Sequence, residues 1–71
     1  MVYEFWDMRS HNLIAAFESE QEALEVLRGM IREQGERTLE YLMLIEDDCE
    51  NDSSRIVGMG LQLADLVKSM A

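Results

Sequence analysis

The stretch Glu46-Asp47-Asp48-Cys49-Glu50-Asn51-Asp52 gathers five carboxylates around the chain's single cysteine. Asp48, Glu50 and Asp52 stand at the i, i+2, i+4 spacing that opens an EF-hand calcium loop. The pattern then breaks. The sixth position is Ser53 where the loop needs glycine, and the twelfth is Met59 where it needs a bidentate glutamate. What remains is a weak oxygen site at most, a solvated hairpin loop, or a contact point for a basic partner surface. The carboxylates around Cys49 work against a thiolate, the form in which cysteine attacks or ligates. His11 is the chain's single histidine, so a transition-metal set of the usual type cannot be completed. Gly58-Met59-Gly60 falls between an expected strand and an expected helix, where glycines cradle phosphate. It lacks the third glycine of a dinucleotide fingerprint and any Gly-Lys-Ser of the Walker type. Asn51-Asp52-Ser53 matches a glycosylation acceptor, a match that is idle without export. Catalysis requires acid, base, nucleophile or metal to converge in one pocket. Nothing in these spacings supplies that convergence, so the expectation is a non-enzymatic domain without a cofactor.

Size and charge narrow the field further. The 71 residues are read as one domain, 1–71. A chain of this length buries only about 60% of its unfolded surface, and such domains are usually reinforced by disulfides, a metal or association. One cysteine cannot bridge within the chain, which leaves association as the expected reinforcement. Fifteen acidic against six basic residues give a formal charge of −9. The basic residues Arg9, Arg28, Arg32, Arg37, Arg55 and Lys68 are scattered, which disfavours both direct nucleic-acid binding and docking on anionic lipid. No apolar run approaches the roughly 20 residues of a membrane span. The opening residues Met1 to Asp7 lack the pattern of a secretory signal, and an unpaired cysteine suits a reducing compartment; the cytoplasm is the expected location.

The elements follow from periodicity. Val2 to Met8 reads as a strand, Arg9 to Asn12 as a polar turn, and Leu13 to Phe17 as a second strand, together a hairpin. Ser19-Glu20-Gln21-Glu22 fits a capping box. Ala23, Leu24, Leu27, Met30 and Ile31 then recur at helical spacing, and Gly35 stands where a helix stop is expected. Gly29 inside this helix is expected to mark close packing against the sheet. Leu39 to Glu46 alternates and reads as a third strand, Asp47 to Ser54 as a loop, and Arg55 to Met59 as a fourth strand. From Gly60 onward, Leu63, Leu66, Val67 and Met70 show helical spacing again.

The order β-β-α-β-β-α predicts an α+β fold: one four-stranded, mainly antiparallel sheet with both helices on one face. Such a sheet should alternate apolar and polar cleanly if its other face is wet. Here Tyr3 and Phe5 oppose Val2, Trp6 and Met8, and Leu39, Tyr41, Met43 and Ile45 oppose Leu42 and Leu44. Apolar side chains on both sides predict that the helix-free face is covered, by a second copy or another protein. Trp6 is the first candidate anchor, since interfaces favour tryptophan and tyrosine. Tyr3, Phe5 and Tyr41 compete with it until the helix-bearing face is known.

Tyr3-Glu4-Phe5-Trp6-Asp7, the step Asn12-Leu13-Ile14, and Phe17-Glu18-Ser19-Glu20-Gln21-Glu22-Ala23-Leu24 together resemble a group of short acidic bacterial proteins of uncharacterised function. In these a hairpin leads into a helix opened by [ST]-x-x-E-A-L, followed by a strand and an acidic loop. The resemblance implies the fold and a cytoplasmic placement, and no activity. The order of elements is also similar, by architecture alone, to small antitoxin folds. The leading expectation is thus a small acidic protein-binding or self-associating domain. One alternative is an acidic inhibitor, antitoxin-like, that sets Asp47, Asp48, Glu50 and Asp52 into a partner's basic groove. Another is a module for a small ligand or a weakly held metal.

Overall fold

The computed structural model describes residues 1–69 and has the expected order of elements. Strands β1 (Val2–Asp7), β2 (Asn12–Phe17), β3 (Leu42–Asp48) and β4 (Ser53–Met59) form one antiparallel sheet in the order β2-β1-β3-β4. Helix α1 (Glu20–Gln34) follows the first hairpin, and α2 (Gln62–Lys68) follows the second. The two helices pack on each other and share a single hydrophobic cluster with the sheet.

Local chemistry explains where α1 begins and ends. Ser19 is extended, and its Oγ accepts a hydrogen bond from the Glu22 N–H at 3.2 Å, satisfying one donor of the first turn. Gly35 closes the helix at φ 85°, a conformation costly for other residues, and its N–H donates to the Ile31 carbonyl at 2.7 Å. Between these caps Ala23, Leu24 and Leu27 are buried, with Met30 and Ile31 packed beside them. From α2, Leu63 and Ala64 enter the same core. The sheet contributes Phe5, Leu42 and Leu44, and the Phe5 and Phe17 rings meet edge to face at 5.4 Å.

Three sequence expectations are corrected. The third strand does not begin at Leu39. Residues Glu36–Leu39 form a 3₁₀ turn that drops Leu39, fully buried, under the helices, and pairing starts at Leu42. The acidic loop is shorter than Asp47 to Ser54, because Asp47 and Asp48 pair with Ser54 and Ser53 and only Cys49–Asp52 turn. Gly29 meets nothing: a Cβ built there has no heavy atom within 4 Å, so close packing is not its role. Met70, expected on the inner stripe of the last helix, lies outside the described residues.

Both edge strands carry a bulge. Ile14 is the extra residue of β2, between the pairs Phe5–Ala15 and Trp6–Leu13. Val57 is the extra residue of β4, between Leu44–Gly58 and Ile45–Ile56. Each bulge shifts the side-chain alternation by one residue. Leu13 and Ala16, three apart, therefore face the same way, as do Ile56 and Met59.

Candidate functional site

The helices settle which aromatic residues face outward. Phe5 is 2% exposed beneath them, so it belongs to the core and is withdrawn from the candidate interface. Tyr3 shares its side of β1 and packs at the core's margin. Its hydroxyl donates to Glu46 Oε2 at 2.9 Å, and Arg55 Nη2 reaches the same oxygen at 3.2 Å. The Arg55 contact first, and the Tyr3 hydroxyl second, hold the Glu46 carboxyl below its usual range. The Tyr3 hydroxyl is raised in turn, chiefly by that hydrogen bond. This group ties three strands together and gives Tyr3 a structural partner. Tyr41 lies before β3, exposed, with the Arg9 guanidinium 4.3 Å from its ring centre.

Trp6 is on the opposite, helix-free face. Strand register places Leu13, Trp6, Met43 and Met59 in one row across all four strands. A second row runs Ala16, Glu4, Ile45 and Ile56. Leu13 is 47% exposed and Ile56 54%, while Trp6, Met43 and Ile45 are half-buried by their neighbours. The indole N–H donates to Glu4 Oε1 at 3.4 Å, a long bond. Charge on the strand positions of this face comes from Glu4 and, beside Val2, from Asp47; no lysine or arginine shares it. An apolar surface centred on tryptophan, with Glu4 set within it and Asp47 toward one end, suits a partner with apolar side chains and a few matching cations.

The acidic turn is held together by Asp48. Asp48 accepts from the Glu50 and Asn51 backbone N–H groups at 3.2 and 3.4 Å, and from Asn51 Nδ2 at 2.7 Å. Led by the Asn51 side chain, these bonds hold its carboxyl below the usual range. Asp48 is therefore the residue that folds the hairpin, an Asx-type turn. Glu50 and Asp52 project exposed beyond it, as does Cys49. Among the described residues no group of three or more His, Cys, Asp or Glu side chains is placed to hold a metal ion. The glycines near α2 also have structural duties. A Cβ on Gly58 would stand 3.1 Å from Leu66 Cδ1 and 3.2 Å from Leu63 Cδ2, and Gly60 turns the chain at φ 57°.

Leu13, Ile56 and Met59 were not singled out in the sequence, because period-two alternation scatters them once the bulges are overlooked. Among the described residues no helix is long and apolar enough to cross a membrane. Comparison with protein-family models, with curated proteins and with solved structures returned no match to this chain.

Proposed function

We propose that the chain is a non-catalytic binding domain that presents its helix-free sheet face to a protein partner. The observation that carries this reading is the unbroken row Leu13–Trp6–Met43–Met59, flanked by Ile45 and Ile56. A sheet whose outer face only met water would carry polar residues at these positions. Glu4 and Asp47 favour a partner that sets arginine or lysine among and beside its own apolar side chains. Two of these faces set against each other would bring carboxylates together at no gain, so the partner in this reading is a different protein.

The test is capture from the native cell with three tagged variants. Ile56→Lys changes an exposed side chain and is expected to abolish capture of any stoichiometric partner while the far-UV spectrum stays native. Trp6→Ala is expected to weaken capture at least tenfold, the cost of about 1.4 kcal/mol or more at a hot spot. Glu50→Lys with Asp52→Lys is expected to leave it unchanged. The opposite pattern, loss through the turn and indifference at the face, would overturn the proposal in favour of an acidic inhibitor seated in a basic groove.

A further inference from the structure

Glu4 is the one charged side chain set within the apolar rows of the helix-free face. Register places it between Ala16 of β2 and Ile45 of β3, with Ile56 completing its row and Trp6 next along its own strand face. It is half-buried, and among the described residues its one hydrogen bond is the 3.4 Å contact from the Trp6 indole N–H to Oε1. Ala16 is small and exposed, so Glu4 is uncovered on the β2 side. Asp47, diagonally across from Glu4 and opposite Val2, stands about 7–8 Å away by the spacing of diagonal strand neighbours. No lysine or arginine occupies a strand position of this face to balance either carboxylate.

In the free chain water meets that need. A partner laid over the face removes the water, and a carboxylate among apolar side chains with one long hydrogen bond is then costly. The cost exceeds what burying one apolar side chain returns. A cover that holds must therefore bring a cation to Glu4. Lysine would balance the charge, but its ammonium is a compact, strongly hydrated point. A guanidinium is more weakly hydrated, forks onto a carboxylate and lies flat on an aromatic ring. The bond between Trp6 and Glu4 sets an indole and a carboxylate side by side, the two surfaces that a guanidinium uses together. The chain holds one such arrangement of its own. The Arg9 guanidinium lies 4.3 Å from the Tyr41 ring centre, with its Nε 3.7 Å from Asp7 Oδ1.

We infer that Trp6 and Glu4 form a receptor for one arginine side chain of the partner, carried within an apolar segment. Asp47 adds a weaker attraction from the end of the face. This rests on the docking reading above and names what the partner carries at the centre of the contact. It also assigns Glu4 the role of selecting that partner, since an apolar segment without the cation would strand the carboxylate.

Trp6 is the chain's only tryptophan, so its fluorescence reports the site directly. The probes are acetyl-Leu-Arg-Leu-amide and its counterparts with lysine or citrulline, the last a neutral copy of arginine. Titrated through the millimolar range into the full chain, the arginine peptide is expected to shift the Trp6 emission and the indole N–H resonance saturably. Its affinity is expected to exceed that of the citrulline peptide about tenfold or more, with the lysine peptide weaker than arginine. Glu4→Gln, confirmed folded by circular dichroism, is expected to erase the advantage of arginine over citrulline. Glu50→Gln with Asp52→Gln removes more charge, but from the turn, and is expected to keep that advantage. Equal affinity for arginine and citrulline, no response of Trp6 to the arginine peptide, or an advantage that survives Glu4→Gln each overturns the inference. Lysine bound as tightly as arginine overturns the choice of arginine. In the capture assay, loss in Ile56→Lys with full capture in Glu4→Gln overturns the receptor and leaves the docking face in place. A Glu4-dependent preference for arginine, beside capture that ignores Ile56→Lys, supports the receptor and overturns docking of the whole face.

Discussion

Replacing Gly29 with alanine should make this domain more stable, and the size of the gain can be worked from the structure. Gly29 lies in the eleven-residue stretch between Leu24 and Gln34 of α1, with helical residues on both sides. At about 100° per residue it falls roughly 160° from the centre of the Ala23, Leu24, Leu27, Met30 and Ile31 stripe. Its neighbours one turn away are Glu25, Val26, Arg32 and Glu33, all exposed. The added methyl group has no heavy atom within 4 Å and displaces nothing. The change therefore reduces to the intrinsic preference of alanine over glycine in a helix, about 1 kcal/mol, arising mainly in the unfolded chain. Domains have about 0.05–0.15 kcal/mol of stability per residue, so the whole fold is worth roughly 4–11 kcal/mol. The gain should appear as a melting temperature higher by about 4–8 °C. In urea the midpoint should rise with an unchanged slope. A midpoint that stays put or falls would refute the reasoning. It would mean that something approaches the outer surface of α1, which would then need Gly29 for contact.

Two further substitutions probe the sheet. Gly58→Ala is expected to cost about 1 kcal/mol or more, because its Cβ would press on Leu63, which is fully buried and has little room to yield; a neutral urea midpoint would show that Leu63 and Leu66 move aside freely. Glu46→Gln is expected to flatten the acid side of the stability profile. The native Glu46 carboxyl is held low by Arg55 and Tyr3, so on acidification the unfolded chain takes up its proton first. The stability it contributes is complete above the ordinary glutamate value, about 4.3, and is lost as pH falls through the lower native value. Urea midpoints at neutral pH and between about pH 5 and 3 should show a smaller drop in the variant, and parallel profiles would refute the assignment.

How legible the fold was depends on which signal each element carries. Helix α1 announced itself because cap, stripe and stop agree: Ser19, the five apolar residues and Gly35 all mark the same boundaries. The same stripe contained the correction to Gly29, since the rotation that puts Leu27 inward puts Gly29 outward. The third strand was misplaced by three residues because Leu39 obeys period two by coincidence. It is buried by a 3₁₀ turn, a device with no periodic signature of its own. Asp47 and Asp48 read as loop because carboxylates are poor strand formers. The turn bonds of Asp48 and the pairing with Ser53 and Ser54 outweigh that preference.

The apolar face itself was only half legible, and the reason is geometric. Trp6 could be assigned to one side of β1 by alternation, yet choosing that side over the Tyr3–Phe5 side required knowing where the helices lie. In the edge strands alternation misleads outright. A chain without bulges would send Leu13 and Ala16 to opposite faces, and likewise Ile56 and Met59, and no continuous row could form. The extra residues Ile14 and Val57 bring each pair onto one side. Both bulges thus enlarge the helix-free apolar face at once, one at each edge, although each strand loses regular pairing there. A water-facing sheet would gain nothing from that exchange, since every added apolar position would be exposed at a cost in solubility. Against a partner the same two irregularities become useful, because they extend a narrow tryptophan-centred strip across the full width of the sheet.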